Sequence, residues 1–524
     1  MTDNKIKMAR KKPEDLSAVR SGGHSPIAGA ASIKGGVVID LRFFYEVTHS
    51  EDESSVVIGT GAKWMDVSKS LDEKGLAVVG GRNSAVGVGG LTLGGKPLLF
   101  TFTLANLSQF DTIHTLRLRQ TSSLLHCSVA DTKTNTGGLS FFSPRFRLVC
   151  SNILSYEIVL ASGNVITASA SNNPDLWRAL KGGSNNFGIV TRFTARCFPS
   201  TKIWSGFLYL PALQAAKVLA AFHEFLSRAD ASNPHTTYDS HAAGPLACFS
   251  YIPKLGVQAI SVNLVYTKLP ENQKKWPTCW RTSSFSSLWR LWSTCKVHSL
   301  TSATDEMNAL NPPGKRQGFA TTTIKNDPAT ISAAHTAYCD AIASIRRVKV
   351  KGLLWTIVLQ PLLSDWVRKG DANPLGLHDC TDESLVIVIL TVNWDERRDD
   401  DFVKTITRRT IEQIDAFATA NETGHPYRYL NYCAEWQKPF VGYGEENWRF
   451  LQGVSRRCDP DGFFQKGCVG GFKLDMADGE AGRKRNVRTT LAASTVEPCP
   501  LDASQAIISL RRFIRHRLFT ISQS

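Results

Sequence analysis

The stretch that decides the reading is "AVRSGGHSP", residues 18–26, in which His24 stands between two glycines and Ser25. Glycines let backbone amides approach and wrap an anionic group, whereas an imidazole in such a place is ordinarily a hydrogen-bonded turn residue. Two further glycine clusters follow: "GGRNSAVGVGGLTLGG" at 80–95 and "LKGGSNNFGIVT" at 180–191. One cluster in a strand-rich region reads as a turn. Three together can cradle something as long as a dinucleotide. The two familiar nucleotide loops are excluded. Counted from Gly87, G-x-G-x-x-G meets Thr92 at its sixth position, and no helix is expected there. Counted from Gly90, G-x-x-x-x-G-K ends at Lys96 and continues into Pro97, which has neither the hydroxyl for Mg²⁺ nor an amide hydrogen for phosphate.

The totals bound the rest. A chain of 524 residues, 42% hydrophobic and 20% charged, has room for two or three domains with their own cores. Its net charge of +15 is spread along the chain, with local excesses in "KIKMARKK" and "RRFIRHR". No nucleic-acid recognition module accompanies that charge, so it reads as a solvated basic surface and not as a nucleic-acid site. The 12 cysteines are scattered without a C-x-x-C pair or a His/Cys cluster at zinc spacing, and no metal is expected. The first twenty residues have positive charge with no apolar core behind it, and no window approaches a membrane span. As written, the chain is expected to stay inside the cell.

The expected fold class is α+β. Over residues 1–200, glycine turns alternate with β-branched runs such as "SSVVIGTGAKW", "YEIVLASGNVITAS" and "FGIVTRFTARCF". Over 201–425, helical segments such as "LQAAKVLAAFHEFL" interleave with the strands "QAISVNLVYT", "GLLWTIVLQPL" and "SLVIVILTVNW", predicting a sheet flanked by helices. Over 426–475, "YRYLNY" is expected to be a strand, followed by an amphipathic helix that stops at Asp459-Pro460. Residues 476–524 read as a basic, disordered tail.

The three glycine clusters, "LVCSNILSYEIVLASG", "LWRALKGGSNNFGIVTRF" and "YRYLNY…NWRFLQGVSRRCDPDGFF" together resemble the FAD-linked oxidases related to vanillyl-alcohol oxidase and the berberine-bridge enzymes. The likeness runs over most of residues 18–475. It implies a PCMH-type FAD-binding domain of two subdomains, followed by a substrate domain. It implies FAD bonded covalently through a ring nitrogen of His24, with Gly22, Gly23 and Ser25 in the same loop. Gly81, Ser84, Gly87, Gly89 and Gly90 then match the pyrophosphate and ring-facing loop. Asn152, Asn186, Gly188 and Val190 match the later segments around the cofactor. Some relatives add a second bond from a cysteine where this chain has Asn83, so one tether is expected.

For catalysis the resemblance points to Tyr432 as proton acceptor, with Asn431 and Asn447 lining the flavin. A tyrosine with an ordinary pKa near ~10 is a poor base at neutral pH, so that role needs positive charge or strong hydrogen bonds to stabilise phenolate. Packing at a domain interface is the other reading of Tyr432. The implied activity is hydride transfer from an alcohol, sugar or phenolic metabolite to flavin, with dioxygen reoxidising the cofactor.

The chain also departs from the family. Joining Gly95 to Gly138 would restore an unbroken "GGLTLGGGLSFFSPRF", and residues 96–137 between them have no periodicity or caps. Codons for Gly95-Lys96 can contain a splice donor and those for Thr136-Gly137 an acceptor, so the segment reads as translated intron. A strand-helix-strand unit expected before the histidine loop is missing, and Arg147 stands where relatives tend to have glycine. The rival expectation is therefore an inactive, mis-spliced or truncated chain that holds no flavin.

Overall fold

Runs of β-branched and aromatic residues become the strands of three sheets in the computed structural model. It describes residues 16–23, 27, 29–30, 32–93, 138–229, 238–309, 314–368, 373–377, 383–468 and 470–474. His24, Ser25, the segment 96–137 and the tail 476–524 lie outside the described residues.

The first sheet is a parallel pair, β1 (Ser17–Arg20) and β2 (Val37–Asp40). The second has six strands: β3 (Val47–His49), β4 (Ser55–Gly59), β5 (Leu76–Val78), β6 (Ile153–Val159), β7 (Val165–Ser169) and β8 (Ile189–Pro199). Their order is β3-β4-β8-β6-β7, with β5 also paired to β8. The long strand β8 is the spine of this sheet, because β4, β5 and β6 all hydrogen-bond to it.

The third sheet has nine strands: β9 (Ile203–Pro211), β10 (Ala242–Ile252), β11 (Val257–Tyr266), β12 (Trp292–Ser293), β13 (Lys296–His298), β14 (Arg316–Lys325), β15 (Leu354–Leu362), β16 (Leu385–Trp394) and β17 (Gly424–His425). The order β12-β9-β11-β10-β15-β16-β14-β17, with β13 on β9, places β15 and β16 in its interior, away from either edge. Both are buried at every position, as an unbroken apolar run requires of a strand covered on two faces.

Seven helices matter to the argument: α1 (Trp64–Asp72), α2 (Val88–Leu93), α3 (Pro174–Leu180), α4 (Ala215–Ala229), α5 (Pro328–Val348), α6 (Asp400–Ala420) and α7 (Glu445–Cys458). Helix α5 starts where its chemistry says it should: Asp327 accepts the Thr330 amide at 2.7 Å, and Pro328 fills the first position. It packs against α4 and α6 over the nine-stranded sheet. No helix among the described residues is long and apolar enough to cross a membrane.

Two local expectations are corrected. Leu430–Tyr432 is a 3₁₀ turn and not a strand. The aromatic residues favour a strand, but the amides of Tyr432 and Cys433 bond back to the carbonyls of Tyr429 and Leu430 at 2.9 and 3.1 Å and leave no ladder to form. Residues 88–93 form a helix where none was expected. Gly89 and Gly90 disfavour it, but burial of Val88, Leu91 and Leu93, and the bond from Thr92 Oγ1 to the Val88 carbonyl at 2.9 Å, override their propensity.

Candidate active site

The first two glycine loops are packed directly on one another. Ser21 Oγ donates to the Thr60 carbonyl at 2.5 Å, and a Cβ on Gly89 would stand 2.7 Å from that same hydroxyl. A Cβ on Gly87 would stand 2.5 Å from Cα of Gly22, so neither position has room for a side chain. Gly23 follows at φ 75°, a conformation that glycine adopts without cost. Gly90 lies half-buried on α2. Gly81 has a different neighbour: its Cβ would meet the indole nitrogen of Trp64 at 2.7 Å.

The third loop closes onto the same place. Gly188 and Val190 line a cleft of about 380 Å³, counted with its mouth, together with Ser21, Thr60, Gly89 and Asn185. Gly188 is pressed on β6, where a Cβ would come within 2.6 Å of the Val159 carbonyl. Asn186 is wholly buried and committed to the fold. Its amide donates to the Gly183 and Phe472 carbonyls at 2.8 and 3.1 Å, and its Oδ1 accepts from Gln465 at 2.9 Å. Asn152 likewise donates to the Phe146 and Leu148 carbonyls at 2.7 and 2.9 Å. Asn447 bonds Arg178 and the Tyr443 carbonyl, at 3.1 and 3.0 Å, and lines neither cleft described here.

A second pocket, of about 300 Å³ counted with its mouth, opens where the glycine-loop region meets the nine-stranded sheet. Arg82 and Gln360 form part of its wall, and Leu139, Phe141, Leu246, Pro361 and Trp366 form most of the rest. The fully buried Tyr432 reaches the same two polar groups. Its hydroxyl donates to Gln360 Oε1 at 3.0 Å, Arg82 Nη2 donates to the same oxygen at 2.8 Å, and Nη2 lies 3.4 Å from the Tyr432 hydroxyl. Behind it, Tyr429 stands edge-on at a centroid distance of 4.8 Å and accepts the Leu139 amide at 3.2 Å. Asn431 is buried in the same turn. Burial pushes the Tyr432 phenol well above its ordinary pKa, and the Arg82 guanidinium pulls it back down.

Arg82 and Gln360 were not singled out from sequence. Gln360 had a readable signal: a lone amide inside the apolar run "LWTIVLQPL" of a central strand must face something polar. Arg82 had none, since its neighbours are glycine and asparagine.

The residues present fit a flavin. Arg82 Nε, Asn83 Nδ2, Ser84 Oγ and Gln360 Nε2 are buried and make no hydrogen bond. Buried donors left open on the consecutive residues 82–84, and on the Gln360 that Arg82 bonds, suit a heterocycle edged with carbonyl oxygens and ring nitrogens. Ser84 thus stands in the open row, beside the unassigned Asn83.

Comparison with known proteins gives the family. A family described as FAD binding domain matches residues 5–98. The chain is 30% identical over 471 residues to the FAD-dependent monooxygenase tpcD of Cochliobolus heterostrophus, covering 87% of this chain and 80% of that one. Its fold matches 6-hydroxy-D-nicotine oxidase of Arthrobacter nicotinovorans at a TM-score of 0.64 with 19% identity, over 90% of this chain and 89% of that one. It matches the berberine bridge enzyme of Eschscholzia californica at 0.60 with 14% identity, over 88% and 86%. Fold and site define an FAD-dependent oxidoreductase. The chain belongs to the FAD-linked family of vanillyl-alcohol oxidase and the berberine-bridge-like enzymes.

Proposed function

We propose that this chain oxidises a hydroxyl-bearing small molecule, an alcohol, sugar or phenolic metabolite, in the pocket between the glycine loops and the nine-stranded sheet. Dioxygen is the final electron acceptor. The observation that carries this reading is the hydrogen-bonded set of Tyr432, Gln360 and Arg82, of which Arg82 and Gln360 line a pocket whose other walls are mostly apolar, with Ser140 and Asn263.

FAD, when bound, supplies the two-electron acceptor for the substrate's hydride. Ser21, Gly22, Gly23, Gly87 and Gly89 would hold it with Gly188 and Val190, and Arg82, Asn83 and Ser84 would offer it their open polar atoms. Its tether is His24 alone, because the second loop has Asn83 in place of a cysteine. Tyr432 Oη takes the proton that leaves the substrate hydroxyl. Burial holds the phenol well above its ordinary range even with Arg82 beside it, so the transfer requires Tyr432 to give up its own proton when the site is filled, and the guanidinium of Arg82 favours that phenolate. Gln360 fixes the direction of the Tyr432 hydroxyl. Leu139, Phe141, Leu246 and Trp366 exclude water from the exchange.

Tyr432→Phe is expected to lower turnover at least about 100-fold, in the range of a lost general base, while flavin content stays that of the native protein. Unchanged turnover assigns Tyr432 to packing. His24→Ala is expected to release the flavin on acid precipitation, where the native protein stays yellow. A colourless native protein defeats the whole reading.

A further inference from the structure

A third cavity, of about 500 Å³ counted with its mouth, shares no lining residue with either cleft described above. It opens between helix α4, the start of β10 and the short helix Thr278–Arg281 with the turn that follows. Ala242 stands in its wall, whereas the next residue of β10, Ala243, stands in the wall of the pocket of Arg82 and Gln360. Successive residues of a strand point to opposite faces, so the two cavities lie on opposite faces of the nine-stranded sheet.

The polar wall of this cavity is made of acceptors. The hydroxyls of Tyr238, Thr282 and Ser283 donate to the carbonyls of Ala242, Thr278 and Trp280 at 2.9, 2.9 and 2.7 Å, and Ser284 donates to Glu224. Each hydroxyl has one hydrogen, so none of them has a donor left for a ligand. Two carboxylates, Glu224 and Asp239, face one guanidinium, and that of Arg228 is paired with Glu224. Asp239 has no cationic partner among the described residues; it accepts the His241 amide at 2.9 Å and the Tyr266 hydroxyl. In a chain of net charge +15, this cavity has an excess of negative charge. Its apolar wall is aromatic: Phe225 is stacked on Trp280 at a centroid distance of 5.0 Å, and Tyr238 stands edge-on to Phe225 at 6.1 Å.

We propose that this cavity is a second ligand site, for an organic ammonium. The ammonium hydrogens go to the acceptors around Asp239 and Glu224, and the hydrocarbon part lies against Phe225 and Tyr238. A neutral alcohol of the same shape has one hydrogen and no charge to offer, and an anion would meet two carboxylates. The site stands apart from the oxidation proposed above, because none of its residues belongs to the flavin cleft or to the pocket of Arg82 and Gln360.

The test uses the purified full-length protein and phenethylammonium, with phenethyl alcohol as the uncharged probe of the same shape, read by titration calorimetry at neutral pH. The native protein is expected to bind the ammonium about tenfold or more tightly than the alcohol. Asp239→Asn keeps the oxygen that accepts the His241 amide and removes the charge. It is expected to weaken the ammonium by about tenfold or more while the alcohol moves less than about threefold. Thr282→Trp places a large ring on the exposed rim of the cavity and is expected to abolish binding of both probes. Native protein without a preference for the ammonium overturns the proposal, as does an Asp239→Asn protein that keeps the preference. Should Asp239→Asn fail to fold, Thr282→Trp decides: ammonium binding lost supports the proposal, and ammonium binding kept overturns it.

Discussion

Gly22 and Gly87 touch backbone to backbone: a Cβ on Gly22 would stand 2.7 Å from the Gly87 nitrogen, and one on Gly87 would stand 2.5 Å from Cα of Gly22. The first two glycine loops therefore fix each other's position, and no flexible side chain is there to give way. Gly87→Ala is expected to destabilise the protein by about 1–3 kcal/mol, the usual cost of overpacking, and to lower the flavin bound per protein. Gly453→Ala is the control. Its Cβ would meet only the Arg457 guanidinium at 3.9 Å on helix α7, and it is expected to stabilise by up to about 1 kcal/mol. Thermal unfolding and the flavin-to-protein absorbance ratio read both; equal effects of the two variants would refute the packing argument.

Arg147 holds φ 72° and ψ −153° at the end of the short helix Ser143–Phe146, a region of backbone space that is almost exclusively glycine's. Arg147→Gly is expected to raise stability by about 1 kcal/mol, strain relief less the chain entropy that glycine adds. A drop in the unfolding midpoint would show that the arginine side chain contributes more than its backbone costs.

This strained position was visible in the sequence only as a departure from a family pattern. The strands β4, β6, β8, β11, β15 and β16 were legible because β-branched runs leave few alternatives. The turn at Leu430–Tyr432 was not, because three tyrosines in six residues look like a strand until their amides are seen bonding locally. The pocket was half legible. Tyr432 was read with a stated need for positive charge, but which cation supplies it depends on a contact between residues 350 apart in sequence, and periodicity carries no information on such a pair.

The flanks of the segment 96–137 return to one place. A Cβ on Gly138 would stand 3.3 Å from the Leu91 carbonyl, Gly138 accepts the Val149 amide at 2.9 Å, and Leu91, Leu93 and Leu139 share one core. The chain before and after the segment therefore meets at Leu91 and Gly138. Deleting residues 96–137 is expected to raise soluble yield and flavin occupancy together. Closing a long loop costs little in itself, about 0.6 kcal/mol per doubling, so most of the gain is expected in yield. A deletion that lowers both would make the segment a structural element.

His298 sits between Ser205 and Ser302, with ring nitrogens 2.6 and 3.1 Å from their hydroxyls, and burial first, then Lys296, lowers its pKa from 6.5 to about 4. Burial lowers His335 and His425 to about 4 as well. At pH 7 these groups are neutral in both folded and unfolded chains and add no pH dependence. As pH falls below 6.5 the unfolded chain takes up protons that the folded chain refuses, so stability declines down to about pH 4 and these groups add nothing further below it. The thermal midpoint is expected to fall across that window, with a shallower slope in His298→Asn. A midpoint flat from pH 6.5 to 4 would contradict the buried neutral assignment.

The pairing of Arg82 with Tyr432 also sets an order on biosynthesis. Arg82 leaves the ribosome 350 residues before the tyrosine it will face, and at about 5–20 residues per second that interval is on the order of tens of seconds. Throughout it, the nascent chain has a guanidinium without its eventual pocket. The six-stranded sheet is complete once β8 has emerged, but Tyr432, which completes the hydrogen-bonded set with Arg82 and Gln360, comes only with the last tenth of the described chain. A truncation between residues 199 and 432 therefore yields a chain that has all three glycine loops but lacks the tyrosine that Arg82 faces.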